Sequence, residues 1–262
     1  MDVEGTGNIG GYLDVAQVVL YLFWGFFAGL IYYLHRENKR EGYPLDSDRT
    51  DRSGGRVLVR GFPAPPPPKT YKLAHGGTFS SPNNKRDTRP IAAKPVAGFP
   101  GAPLEPTGNP MLDCVGPGSY AERADEPDLT YDGQLKIVPM RVATDFSIVA
   151  SPDPRGKPVY GADRKVGGTV VDLWVDRSES VLRYIELDTP VAGGTRRVLV
   201  PATFAKVRKR HVEVDSILGT HFAQVPGLRN PEAITLLEEE RICAYYGGGT
   251  LYATATRRDP LI

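Results

Sequence analysis

Asp172, Asp176, Glu179 and Arg183 crowd one short stretch of a 262-residue chain. Carboxylates set close together beside a cation can pass protons between water and a covered site, provided burial and neighbouring charge lift their pKa toward neutrality. The same residues also have a plainer, structural reading. An alternating strand puts Asp172, Trp174 and Asp176 on one face, which can be solvated, and a turn acid such as Glu179 is ordinarily a surface group. On residue types alone, the plainer reading holds for all four. Other chemistries find no support. Cys114 and Cys243 lie far apart without CxxC spacing, which argues against a disulfide scaffold or a zinc ribbon. His35, His75, His211 and His221 have no metal-ligand spacing. The chain has no phosphate-binding glycine loop, GxSxG elbow, HExxH or kinase signature. A net charge of +1 excludes a nucleic-acid binder that works by bulk charge. The local basic run of Arg196, Arg197, Lys206, Arg208, Lys209, Arg210 and His211 leaves open an adaptor for RNA-processing or other partners.

The strongest positional signal lies near the start. Val15 to Leu34 carries no charge and a single amide, Gln17, and as a helix it spans about 30 Å, the thickness of the bilayer hydrocarbon. Tyr12, Tyr32 and Tyr33 flank it as interfacial aromatics. A cleaved signal peptide fits less well, because no Lys or Arg precedes the run and the run is too long. Asp2, Glu4 and Asp14 precede it, whereas Arg36, Lys39 and Arg40 follow it. The positive-inside rule therefore predicts a periplasmic N-terminus (1–11), a transmembrane helix (12–34) and a cytoplasmic remainder with reduced cysteines. The three basic residues are candidates for lipid headgroups. Gly25 and Gly29 form a GxxxG pattern within the span that permits close helix packing and is also common by chance.

The sequence predicts an extended, Pro/Gly-rich segment over 35–134, irregular over 35–110. The run PAPPPPK at 63–69 favours polyproline II. Tyr71, Leu73, Phe79, Ile91, Val96, Phe99 and Leu104 recur through the segment, which suggests that it is laid over a partner surface. From about 135 to 229 short strand patterns recur with Gly and Asp turns, as in a small antiparallel barrel. They fall at 157–163, 168–176, 181–188, 196–200, 205–209 and 211–217. Asn230-Pro231 reads as a cap with proline in the first turn, so a late helix is expected within 231–246, ending at Gly247-Gly248-Gly249. The tail reaches 262. The expected fold is thus one N-terminal transmembrane α-helix, a mainly-β domain and a C-terminal helix.

Six blocks carry a resemblance. They are REGYPL at 40–45, PKTYKLAHGGT at 68–78, PTGNPMLDCVGPGSYAERA at 106–124, KIVPMRVATDFSI at 136–148, VVDLWVDRSE at 170–179 and ITLLEEERICAYYGGGTLYA at 234–253. In this order and spacing, behind a single apolar helix, they closely resemble the H subunit of the purple-bacterial photosynthetic reaction centre. The β region resembles the PRC-barrel, a fold that does not fix function by itself.

The resemblance implies a non-catalytic, pigment-free subunit of the photosynthetic membrane that caps the L and M subunits on their cytoplasmic side and helps protons reach the secondary quinone. Bacteriochlorophyll, bacteriopheophytin, quinones and non-haem iron would belong to L and M, with none bound by this chain. Further implied partners are an antenna ring, a cytochrome subunit and membrane lipids, with no nucleic acid. By motif match Glu179 points toward the secondary-quinone site, with Asp176, Asp172 and Arg183 beside it. Some members of that family have an acid and two close histidines just before the KIxPM block. Here Asp132 and Gln134 stand where those histidines would be, which removes the imidazole ligands of a metal patch. Asp132, Asp128 and Lys136 become the candidates for proton entry.

Overall fold

The apolar run forms a helix because it is uninterrupted by Pro and is capped at its start. In a computed structural model, which describes every residue except 1–7, 10–12, 51, 53–55, 84, 86, 150–151 and 259–262, α1 covers Val15–Glu37. Asp14 is its N-cap, and the Asp14 carboxylate accepts from the Ala16 N–H at 3.3 Å. No residue of α1 is buried, and the helix is long and apolar enough to cross a membrane. The expected flanking residues Tyr12, Asp2 and Glu4 lie outside the described residues.

The chain divides into two compact units, Met1–Arg86 and Asp87–Ile262. In the first, β1 (Asn8–Ile9) pairs with β2 (Leu13–Asp14), and two hairpins follow α1. These are β3 (Leu45–Thr50) with β4 (Arg56–Val59), and β5 (Lys69–Lys72) with β6 (Thr78–Ser81). Residues 64–68, within the proline run, belong to no helix or strand. The stretch expected to be irregular over 35–110 thus contains hairpins, including β7 (Ala93–Pro95) with β8 (Leu104–Pro106) in the second unit. The reason is local. Turn residues such as His75-Gly76-Gly77, with both glycines at positive φ, close two-stranded ladders over runs too short to show a period.

In the second unit, the described residues include a seven-stranded sheet. Its strands are β9 (Ile137–Pro139), β10 (Pro158–Gly161), β11 (Val166–Asp176), β12 (Val181–Val191), β13 (Gly194–Pro201), β14 (Lys206–Val207) and β15 (Val212–Val214). The order is β13-β12-β11-β10-β15-β14, with β9 also paired to β11. One pairing departs from the expected antiparallel plan: β10 and β15 run parallel, with Val159 opposite Val212. The chain between them passes through β11 to β14, which is long enough for the crossover that a parallel pair needs. Residues 172–176 are buried at every position, so β11 is covered on both faces there. Trp174, Leu173, Ile185, Phe222 and Tyr246 are fully buried in the core.

The late helix, α2, covers Leu236–Tyr252, and both of its ends differ from expectation. Its cap is Thr235, not Asn230. The Thr235 Oγ1 accepts from the Glu238 N–H at 3.1 Å, and Glu238 Oε2 accepts from the Thr235 N–H at 2.9 Å. Asn230 caps a turn instead, accepting from the Glu232 N–H. Gly247-Gly248-Gly249 do not stop the helix but lie inside it. They form a seam against neighbouring backbone: a Cβ on Gly248 would meet the Cα of Gly118 at 3.1 Å and the Cα of Met111 at 3.2 Å. Glycine costs about 1 kcal/mol in a helix interior, and here that cost permits close packing. Residues from the extended segment therefore lie along α2, where the Leu236 and Leu237 N–H groups donate to the carbonyls of Glu126 and Ala124.

Candidate functional site

The C-terminal end of β11 positions the first cluster. Asp176, 1% exposed, closes the Arg177–Ser180 turn: its Oδ1 accepts from the N–H of Ser178 at 2.9 Å and of Glu179 at 3.1 Å. Its Oδ2 is buried and accepts no hydrogen bond, and the nearest cation is Lys136 Nζ at 3.9 Å. Lys136 in turn donates to Asp128 Oδ2 at 3.1 Å. The hydrogen bond to Asp128 raises the Lys136 pKa against the opposing effect of burial, and the charges of Asp128, Asp176 and Glu179 add to the rise. Lys136 directly precedes β9 and extends its pairing with β11, the Arg177 N–H donating to the Lys136 carbonyl at 2.9 Å. Asp128, Lys136, Asp176 and Glu179 thus converge, although 128 and 179 are far apart in sequence. The Glu179 side chain is exposed on the turn. Asp132 sits on the exposed 131–134 turn and makes no side-chain hydrogen bond or ion pair among the described residues.

Asp172 belongs to a different cluster. Its Oδ2 accepts from Arg141, at 3.2 Å from the backbone N–H and 3.0 Å from the guanidinium. The same guanidinium nitrogen donates to Glu186 Oε2 at 2.5 Å. Glu186 is 3% exposed and also accepts from the Trp174 indole at 3.0 Å and from Arg197 at 3.1 Å. Arg141 reaches the Pro231 carbonyl as well. This buried network ties β11, β12 and β13 to the loop after β9.

Arg183 occupies an irregularity in the β11–β12 ladder, between the Trp174–Tyr184 and Val175–Leu182 pairs. Its guanidinium lies 3.8 Å from Glu239 Oε2 on α2. The Tyr184 hydroxyl donates to the same oxygen at 2.8 Å. Burial pushes the Glu239 carboxyl above the usual carboxylate range. The Tyr184 hydrogen bond and the charges of Arg183 and Arg123 pull it down, and Asp128 adds to the rise. Asp128 is therefore felt by both Lys136 and Glu239. Residue-by-residue reading missed Glu239, Glu186 and Arg141. The only available signal was the acid-rich opening of the 234–253 block, which has no spacing that singles out one acid.

The basic groups are mostly engaged. Lys206 pairs with Asp215, Arg208 with Glu213, and Arg197 with Glu186 and Asp188. At the end of α1, Lys39 is 4% exposed and donates to the carbonyls of Arg60 at 3.2 Å and Pro63 at 2.6 Å. Arg40 forms a two-pronged pair with Glu37 and reaches the carbonyls of Pro67 and Ser81. The Arg36 guanidinium makes no hydrogen bond or ion pair among the described residues. Also among the described residues, no group of three or more His, Cys, Asp or Glu side chains could hold a metal ion.

Two family models match the chain. The PRC-barrel domain matches residues 147–220, the region of β10 to β15. The N-terminal region of the photosynthetic reaction centre H-chain matches residues 7–142, from before α1 to just beyond β9. With the second match covering half of the chain and the first following it directly, this protein belongs to the photosynthetic reaction centre H-chain family.

Proposed function

We propose that the chain is the pigment-free H subunit that caps the L and M subunits on their cytoplasmic side, stabilises them and aids proton delivery to the secondary quinone. In this reading α1 crosses the photosynthetic membrane with its N-terminus in the periplasm, and the cofactors belong to L and M. An antenna ring and a cytochrome subunit belong to the same assembly.

The observation that carries the proton role is the convergence of Asp128, Lys136, Asp176 and Glu179, with one buried carboxylate oxygen of Asp176 left without a hydrogen bond. Reducing a quinone to a quinol takes up two protons, and a covered site needs ionisable groups and water to supply them. Asp132 and Asp128 form the end nearest solvent. Lys136 places its ammonium between Asp128 and Asp176. Asp176 fixes the turn from which Glu179 projects, and Glu179 hands the proton onward. Glu239, with its raised pKa and Tyr184 hydrogen bond, is a second proton-holding group that Asp128 couples to the first. Arg183 holds Glu239 in place. Asp172, tied to Arg141 and Glu186, supports the strand rather than the relay.

Glu179→Gln tests this reading in the assembled complex by flash-induced kinetics. Proton uptake and transfer of the second electron should slow, while the first transfer and assembly stay as they are. Kinetics unaltered across pH would sink the relay role and leave Glu179 a surface acid.

A further inference from the structure

Among the described residues of the first unit Phe62 is the most exposed large apolar side chain, at 82%, and it is held in that position. Lys39, one residue beyond the last turn of α1 and its cap, donates to the carbonyls of Arg60 and Pro63. These lie on either side of Gly61-Phe62, so a single buried ammonium brackets the residue. Gly61 takes φ +63, and a Cβ there would come within 3.1 Å of the Lys39 Nζ, so the bracket closes over a glycine. The bracket turns the Phe62 ring back along the helix toward the apolar span. Its centroid lies 6.3 Å from that of Tyr32, which sits before the basic pair His35 and Arg36 of the last turn. The strand before Phe62 also exposes apolar side chains between Arg56 and Arg60. Val57 and Val59 share one face of β4, Leu45 pairs with Val59 across the ladder, and all three are exposed. A buried cation spent on presenting an aromatic ring to the outside is uneconomic unless something apolar receives that ring.

We infer that Phe62 is an interfacial anchor, seated at the boundary between lipid headgroups and acyl chains beside Tyr32, with the Leu45–Val59 pair on the same bilayer surface. Continuity with the span identifies the occupant: the ring touches α1 at the depth where an aromatic belt forms, and the guanidinium of Arg36, which makes no hydrogen bond or ion pair among the described residues, lies about one turn away, placed for a lipid phosphate. The inference rests on α1 crossing the membrane, and its test separates the two.

A nitroxide is attached at Phe62→Cys, in a Cys114→Ser, Cys243→Ser background, in the full chain assembled in its complex and reconstituted in phosphatidylcholine–phosphatidylglycerol vesicles. Collision with oxygen, which partitions into lipid, is compared with collision with a water-soluble nickel chelate. Leu30→Cys reports the span, and His75→Cys, on the exposed β5–β6 turn, reports water. The expected result is an oxygen-to-nickel ratio at Phe62 several-fold above that at His75 and approaching that at Leu30. A ratio at Phe62 equal to that at His75 would place the ring in water and overturn the inference, as would shielding from both reagents, which means a protein covers it. If Leu30→Cys itself collides freely with nickel, the span reading fails first and the anchor falls with it. Where Phe62→Cys does not assemble, Val59→Cys is read by the same criteria.

Discussion

Arg141→Met would expose how much of the β domain depends on one shared cation. The variant keeps the aliphatic stem and removes the guanidinium. Asp172 and Glu186 then lose the nitrogen that lies 3.0 Å from one and 2.5 Å from the other. Both accept from the same nitrogen, so their oxygens lie within about 5.5 Å, and two like charges at that separation repel by about 3 kcal/mol at an effective dielectric constant of ~20. Removing one partner of a buried ion pair typically costs about 3–5 kcal/mol. Glu186 retains the Trp174 indole and Arg197, which places the expected loss near the lower end, about 3 kcal/mol. Urea unfolding followed by the fluorescence of Trp174 measures it, with Trp24 as background. Combining Arg141→Met with Asp172→Asn and Glu186→Gln should recover most of the stability. A loss below about 1 kcal/mol would refute the shared-cation account, because an exposed pair behaves in that way.

Asp172→Asn alone should lower stability while leaving second-electron transfer as it is, measured by the same flash kinetics as Glu179→Gln. Glu239→Gln should stabilise the protein increasingly as pH rises above the ordinary glutamate value of 4.5. The folded-state pKa is raised by burial, so below that value both states are protonated and the substitution matters little. Above it the unfolded chain ionises first, and the unaltered protein loses stability that the amide keeps; denaturation at several pH values reads the difference, and a constant offset would contradict it. Lys39→Met should loosen the loop at the end of α1. It removes two hydrogen bonds from a charged donor, each worth about 1.5–3 kcal/mol, so tryptic cleavage after Arg60 should quicken by at least about tenfold, with no change expected in the amide exchange of β11.

Much of the architecture could be read from the residues because strong patterns had one solution. An uncharged apolar run has to be a helix if its backbone is to be satisfied in lipid, and β11, β12 and β13 announced themselves by branched and aromatic residues between Gly and Asp turns. The failures share a cause: the deciding contact lay far away in sequence. Gly247-Gly248-Gly249 read as a helix stop because local propensity says so, but Gly118 and Met111 press against that face and require the missing side chains. Asn230-Pro231 read as a cap, yet Thr235 and Glu238 satisfy each other five residues later. The parallel β10–β15 pair leaves no mark on either strand.

The same reasoning explains why the acids of β11 separate into two roles. Asp172 and Asp176 share a strand and a residue type, and both are buried. Alternation cannot divide them, because the strand is covered on both faces. Their partners divide them: Arg141 arrives from the loop after β9 with a guanidinium that satisfies two acids at once, whereas Lys136, just before β9, gives its hydrogen bond to Asp128 and stays 3.9 Å from Asp176. The guanidinium fixes the Asp172 carboxylate in place with charge-assisted hydrogen bonds. A carboxylate that keeps a buried oxygen without a hydrogen bond, next to a cation engaged elsewhere, can still gain or lose a bond as neighbouring charge changes. On the proposed reading, proton handling belongs at the open end of the strand, where the Arg177–Ser180 turn carries Glu179 outward, and Asp172 serves to hold the sheet still so that this turn keeps its place.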